Sequence, residues 1–446
     1  MQNKNDLTHG TIWKKLLLFF LPIAAGTCIQ QLYNTVDALI VGRFVGTVAL
    51  AAVGGSASQL TNTIVNFFVA STSGAAVIIA QFFGAGDKEK LKKASGNILA
   101  VCAAIGVVVG LLVVIFSDSL LRLLDTPEET LREAGIYLRI YFMSMPFIVL
   151  LNMESAIVRA LGDSRSPFIF MIESCITNII LDYVFVVYFG WGVVGVAVAT
   201  VVSILLNFSL VTRLMLTTDR PYKLDVKTLS LKGDDLGRML LVGIPSGLQS
   251  VMYGFSNIII QAGVNGLGTI AVASWTMTGK VEGVFWAICG AVGSSITTFI
   301  AQNYGAGNKD RIKGCVKQGL IMSELITLII VVGILGLGMP ALKILTEDKA
   351  VQDLTYELLW YFVPFYFAYM IIEVFSGVLR GTGDTINSLI ITGIGICLFR
   401  IVWVFFVYPR FGTIEVLSLC FGFSWILTAI VMVIYYKKAK WMKLKD

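Results

Sequence analysis

Apolar runs about as long as a bilayer is thick recur along the whole of this chain. Ile98–Phe116 contains no charged residue, and neither does Trp191–Thr212. About 20 apolar residues suffice to cross a bilayer as an α-helix. Twelve such runs can be counted, centred near Ala25, Thr63, Val107, Phe147, Ile179, Ser203, Val251, Phe285, Thr327, Phe367, Leu398 and Ile426. Only 14% of the residues are charged, against about 25% in soluble domains. Runs of this length exclude a β-barrel, whose strands alternate and are about 10 residues long. The expected fold is an all-α integral membrane protein of twelve transmembrane helices.

The chain also repeats itself. QFFGAGDKEKLKK begins at Gln81 and QNYGAGNKDRIKG at Gln302, an offset of 221. RALGDSRSP at Arg159 and RGTGDTINS at Arg380 are again 221 apart. GTVALAA at Gly46 and GTIAVAS at Gly268 are 222 apart. A constant offset over several motifs marks a duplication. Six helices per half is an even number, so both halves enter the membrane from the same side and the repeats are parallel. The expected division is an N-lobe over 1–216, a polar cytoplasmic linker over 217–237, and a C-lobe over 238–446 that ends in a basic tail. Repeats of this size are typical of secondary transporters. The Gly-Ala-Gly and Gly-Asp segments read as tight cytoplasmic turns, with the charged residues beside them in water; gating is the alternative reading.

The net charge of +6 does not point to nucleic acid. With both termini placed inside, 25 of the 34 Lys and Arg fall in inside segments and 7 in outside loops. That bias is the positive-inside rule and makes both termini cytoplasmic. The seven cysteines form no CxxC pair, so they read as packing residues. The start resembles a signal peptide, but Pro22 has a repeat partner in Pro245, so this segment belongs to the fold. No phosphate-binding loop or ATPase domain is present. The one histidine, His9, lies in the N-terminal tail, which leaves no nucleophile constellation for an enzyme. Transport is then expected to use an ion gradient, with no cofactor beyond a coupling ion.

Acids inside apolar runs are costly and mark functional sites. Asp37 lies in QQLYNTVDALIVG of the first run, three residues after Asn34. Asp182 lies in TNIILDYVF of the fifth run, four after Asn178. Each spacing puts the amide on the acid's helix face. Thr200 in the sixth run can add a hydroxyl. Two carboxylates with neutral oxygens suit Na⁺, or a proton relay. The repeat register sets neutral residues opposite both acids, so the pair belongs to the first half alone. The second half has Lys280 and Glu282 in its eighth run and Glu373 opposite Asn152 in its tenth. Glu373 is free to bind a cation, carry protons, or pair with Lys280 or Arg400. Aromatic and Met residues in the first, fourth and tenth runs, Tyr33, Tyr137 and Met153 among them, suit a promiscuous apolar cavity.

These ordered motifs (Pro22 and Asp37, the paired GAG loops, RALGD with RGTGD, and NIILD with GVAVAT) resemble the multidrug and toxic compound extrusion (MATE) family over essentially the whole chain. The resemblance implies a V-shaped transporter of two six-helix lobes in the plasma membrane. It implies export of lipophilic organic cations in exchange for Na⁺ or H⁺. The family's cation site maps onto Asp37, Asn178, Asp182 and Thr200. Its cavity maps onto Gln30, Tyr33, Tyr137 and Asn152. Asn34, Met153, Glu282 and Glu373 complete the expected substrate cavity. The seventh helix here, Leu240–Gln261, contains no acid. The expected state is a monomer. The alternative within the wider superfamily is a flippase for a lipid-linked sugar, which would need a cationic cavity; a channel or membrane enzyme is a more distant third.

Overall fold

The structure, a computed structural model, describes residues 6–438, with the backbone alone for Asn34, Thr47 and Val48. The last part of the basic tail lies outside the described residues. Helices account for the rest of the chain between short connections. They are α1 (Ile12–Val45), α2 (Ala49–Gly84), α3 (Lys88–Leu123), α4 (Glu128–Met143 and Met145–Ala160), α5 (Arg165–Tyr188) and α6 (Gly192–Thr217). The second six are α7 (Leu236–Asn265), α8 (Thr269–Gly305), α9 (Lys309–Leu345), α10 (Lys349–Thr382), α11 (Thr385–Phe411) and α12 (Ile414–Lys438). Ten are single helices long and apolar enough to span a membrane, and the bent pair forming α4 makes an eleventh. α7, 30 residues long, completes the set. α8 and α9 each have 37 residues. At 1.5 Å per residue they reach about 55 Å, well beyond the hydrocarbon core.

The sequence accounts for the breaks. α4 bends by 50° at Ser144, where Pro146 enters the first turn of the second segment. α10 carries a 3₁₀ turn at Val363–Phe365, containing Pro364. Proline lacks the N–H that a continuous helix needs. Between helices, association without a hydrophobic driving force needs close backbone approach, and small residues provide it. A Cβ on Gly106 of α3 would stand 2.6 Å from the Cα of Pro146 in α4. A Cβ on Gly381 of α10 would stand 2.7 Å from Ile300 Cβ of α8. The opposite face of α3, with Val108, Leu111, Leu112 and Ile115, is exposed and apolar, as a lipid-facing surface must be.

The chain divides into two compact units. One contains Leu21–Gly247, and so α2–α6, most of α1 and the linker. The other contains Leu7–Phe20 together with the chain from Leu248 onward. In the second unit the N-terminal segment is held by the QNYGAGNKDR motif. The Leu7 N–H donates to Gln302 Oε1 at 3.0 Å, and Arg311 donates to the carbonyls of Leu7 at 2.9 Å and Gly10 at 2.8 Å.

The repeated loops are turns with matching backbones. Gly162 and Gly383 have φ of 89° and 90°, a left-handed conformation that glycine adopts without strain. The acids beside them do not stay in water, contrary to the sequence reading. Asp163 is buried. Its Oδ1 accepts from the Ser166 N–H at 3.0 Å and so caps α5. Its Oδ2 accepts from Arg220 at 2.5 Å and from the Tyr222 hydroxyl at 3.0 Å, which fixes the linker to the loop. Burial, with the Asp163 carboxylate beside it, pushes the Tyr222 hydroxyl up to about 12. Asp384 repeats the device: it accepts from Asn387 at 2.7 Å and from the Tyr435 hydroxyl at 2.6 Å. The short side chain of the Gly-Asp turn lies within reach of both its own helix start and a distant tyrosine.

Asp163→Ala is expected to destabilise the protein by about 2 kcal/mol, from a lost cap and a half-exposed ion pair. The check is the thermal unfolding midpoint of the purified protein in detergent; an unshifted midpoint would refute the tether.

Candidate functional site

The first unit gathers its intramembrane polar groups from α1, α5 and α6. On α5, Ser174, Asn178 and Asp182 recur every fourth residue and are all buried. The Ser174 hydroxyl donates to the Ser203 carbonyl of α6 at 2.7 Å, which holds this face against α6. Asn178 Nδ2 donates to Asp182 Oδ2 at 2.8 Å, and its Oδ1 accepts from the Thr200 N–H at 3.3 Å. Thr200 donates its hydroxyl to the Val196 carbonyl at 2.9 Å, which leaves oxygen lone pairs free to accept or coordinate.

Directly after Asp182, α5 winds as π-helix over Tyr183–Tyr188, and α1 does so over Val41–Val45, four residues past Asp37. Such wide turns are frequent at functional sites. The Asp37 and Asp182 carboxyls lie within hydrogen-bonding reach of each other. Each also has one buried oxygen, Oδ1, with no hydrogen-bond partner. Two bare carboxylates in contact repel, and a buried unpaired acceptor is costly, so the pair requires a proton or a cation. The donor set is oxygen alone, and among the described residues no group of three or more His, Cys, Asp or Glu gathers. Such a set fits a hard monovalent cation better than a transition metal.

Two tyrosines lie within electrostatic range of the acids: Tyr33 of α1 and Tyr137 of α4. Tyr137 stacks on Tyr141 with ring centroids 6.0 Å apart. Gln30 is exposed on α1. The side chain of Asn34 lies outside the described residues. Asn152 donates to the Ile148 carbonyl of its own helix at 2.9 Å. Met153 is fully buried, so it packs in the unit's core and does not line a cavity.

In the second unit, Glu282 and Glu373 take different roles. Glu282 is buried on α8 and accepts from the Tyr366 hydroxyl at 2.7 Å. It lines a cavity of about 460 Å³. Glu373 does not line that cavity. It pairs with Arg380 at 2.5 Å, one helical face along α10, rather than with Lys280 or Arg400. Two turns of α10 bring this arginine of its own helix to it. Lys280 is exposed. Sequence reasoning also passed over the lining role of Trp275, Asn257 and Arg400. Its available signal was Arg400 alone, a single base inside an otherwise apolar stretch.

A family model, MatE, matches residues 22–184 and 245–406. The chain belongs to the MatE family. MatE proteins are transporters, not enzymes, and this one is a multi-pass membrane protein. The chain is 26% identical to the probable multidrug resistance protein YoeA of Bacillus subtilis, covering 97% of this chain and 95% of the relative. It is 24% identical to the multidrug export protein MepA of Staphylococcus aureus, over 84% of this chain and 82% of MepA. Its fold matches an outward-facing multidrug resistance MATE family transporter with a TM-score of 0.90 at 23% identity, covering 98% of both chains. It also matches a MOP superfamily transporter of Pyrococcus furiosus described by the reverse polarity of its binding pocket, with a TM-score of 0.90 at 21% identity and 98% of both chains covered.

Glu373→Ala in this MatE transporter should leave a half-buried arginine without its carboxylate and cost about 2 kcal/mol. A Glu373→Gln/Arg380→Gln double variant should recover part of that loss. Detergent unfolding midpoints of both variants decide it; equal losses in the two would refute the pairing.

Proposed function

We propose that this MatE transporter exports lipophilic organic cations across the plasma membrane in antiport with Na⁺ or H⁺, with both termini cytoplasmic. Asp37, Asn178, Asp182 and Thr200 form the coupling site. The observation that carries this reading is the pair of buried Oδ1 atoms on Asp37 and Asp182 without partners. A single cation, or a single proton, relieves both at once. The tyrosines beside the acids supply π-faces that attract an organic cation. Coupling ion and drug then compete for one negative site, or each favours a different arrangement of the helices. A bound species shifts a conformational equilibrium only by its differential affinity for the two states. Export of drugs agrees with the names of the relatives, multidrug resistance and multidrug export proteins.

A lipid-linked-sugar flippase would need a basic cavity. Lys280 is exposed, and Arg400 shares its cavity with Glu282. The unpaired Oδ1 atoms of Asp37 and Asp182 favour cation exchange.

The test is ethidium efflux from energised vesicles, with a Na⁺ gradient and a pH gradient imposed separately. One gradient should drive efflux and thereby name the ion. Asp37→Asn and Asp182→Asn should each lower the rate at least about tenfold at unchanged membrane expression. Wild-type efflux in either variant would sink the coupling site.

A further inference from the structure

The second unit contains a buried charge that the cation-exchange site does not use. Arg400 of α11 is 4% exposed. Its guanidinium stacks flat on the Phe421 ring of α12, with the central carbon 3.8 Å from the ring centroid. Nε donates to Ser424 Oγ at 3.2 Å, and Nη1 donates to Asn257 Oδ1 at 3.4 Å. A guanidinium has five N–H donors in one plane. The ring covers a face of that plane, and the two bonds leave the remaining N–H groups of its edge for a further partner. Among the described residues no carboxylate forms an ion pair with it.

The free edge borders the cavity of about 460 Å³, within the size range of small-molecule sites. Its lining comes from helical stripes: Trp275, Thr278, Glu282 and Trp286 of α8, and Asn257 of α7 among others. Six of the fourteen lining residues are aromatic. Glu282 supplies a negative charge in the same cavity, held by Tyr366 rather than by Arg400.

The duplication gives a second and independent line. The motif offsets are 221 and 222. At these offsets the stretch around Asn178 and Asp182 falls on that around Arg400 and Trp403, and the stretch around Thr200 on that around Phe421. The cavity therefore draws on repeat counterparts of the helices that hold the acid pair. An arginine stands within one residue of the amide's place, and neither Asp37 nor Asp182 has an acidic counterpart.

We propose that the cavity lined by α7, α8, α10, α11 and α12 binds a zwitterionic aromatic molecule, its anionic group on Arg400 and its cationic end toward Glu282. A buried unpaired cation is costly, and a ligand carboxylate offers it the planar two-point partner it lacks. A purely cationic ligand meets Arg400, and a purely anionic one meets Glu282. Each is disfavoured by one like charge, so the cavity selects against both. This site stands apart from the acid pair and does not depend on which ion that pair couples.

Rhodamine 110 and rhodamine 123 make a matched pair of probes. The first carries a free carboxylate on a cationic xanthene; the second is its methyl ester. Binding is measured by fluorescence polarisation on the full-length protein in nanodiscs, with empty nanodiscs as the partition control and no gradient present. The wild type should prefer rhodamine 110. Arg400→Gln should weaken rhodamine 110 about tenfold and should not weaken rhodamine 123, which loses a like charge. Arg400→Lys, which keeps the charge, should retain part of the preference. Unchanged rhodamine 110 affinity in Arg400→Gln would overturn the proposal. So would equal losses for the two dyes in a variant of wild-type unfolding midpoint, because Arg400 would then act through packing alone. Neither failure bears on gradient-driven ethidium efflux, which depends on Asp37 and Asp182.

Discussion

A lipid interior offers no partner to a polar group. Every N–H, carbonyl, hydroxyl and carboxyl in the hydrocarbon must be satisfied by the protein or by what the protein binds. Most of this chain obeys by local means. Serine and threonine hydroxyls in the helices return to a carbonyl one turn back: Thr72 to Phe68, Ser203 to Ala199, Thr428 to Ser424. Glu154 accepts from Thr212 at 2.9 Å on both oxygens. Glu373 has Arg380. Against that background, an unsatisfied buried carboxyl oxygen is informative. It marks a place where the fold accepts a cost that a mobile species can remove.

The same constraint explains what the sequence made legible. Long apolar runs, proline breaks and the even helix count follow from crossing a bilayer, and these are written locally. Asp37 and Asp182 stood out because an acid in an apolar run has few harmless explanations. Their convergence was readable only in part. Four-residue spacing put Asn178 beside Asp182. That α1 brings Asp37 to the same point is a tertiary fact with no local signature. The roles of Glu282 and Glu373 were not legible for the same reason. Both are single acids in apolar helices of the second half. One has an arginine of its own helix within reach, and the other lines a cavity beside a guanidinium from α11.

The Gly-Asp loops show a different limit. Composition made them look like solvated turns, since charged residues next to glycine usually are. The backbone did turn as glycine allows. Yet Asp163 and Asp384 face inward because each receives a tyrosine from far along the chain, Tyr222 in the linker and Tyr435 in α12. Sequence distance hid both partners. The result is a duplicated fastening at the end of α4 and of α10. These are the two helices that Pro146 and Pro364 interrupt, so a helix weakened in its middle is tethered at its end.

Duplication supplies two copies of a scaffold and leaves each free to diverge where lipid does not constrain it. The turns kept their glycines, because a left-handed backbone tolerates little else. The polar interiors were under no such common demand. The first unit kept two acids and an amide. The second has an arginine, Arg400, and an aromatic ring, Phe421, within one residue of the amide's and the threonine's places. A cation on Phe421 is partly stabilised by the ring itself. Arg400 is thereby retained in a hydrophobic helix without an ion-pair partner, with part of its hydrogen-bonding edge still unspent. The first unit leaves carboxyl oxygens of Asp37 and Asp182 without partners, and the second leaves Arg400 without a carboxylate. One scaffold thus presents opposite chemistries, and the ligands each half suits follow from that sign.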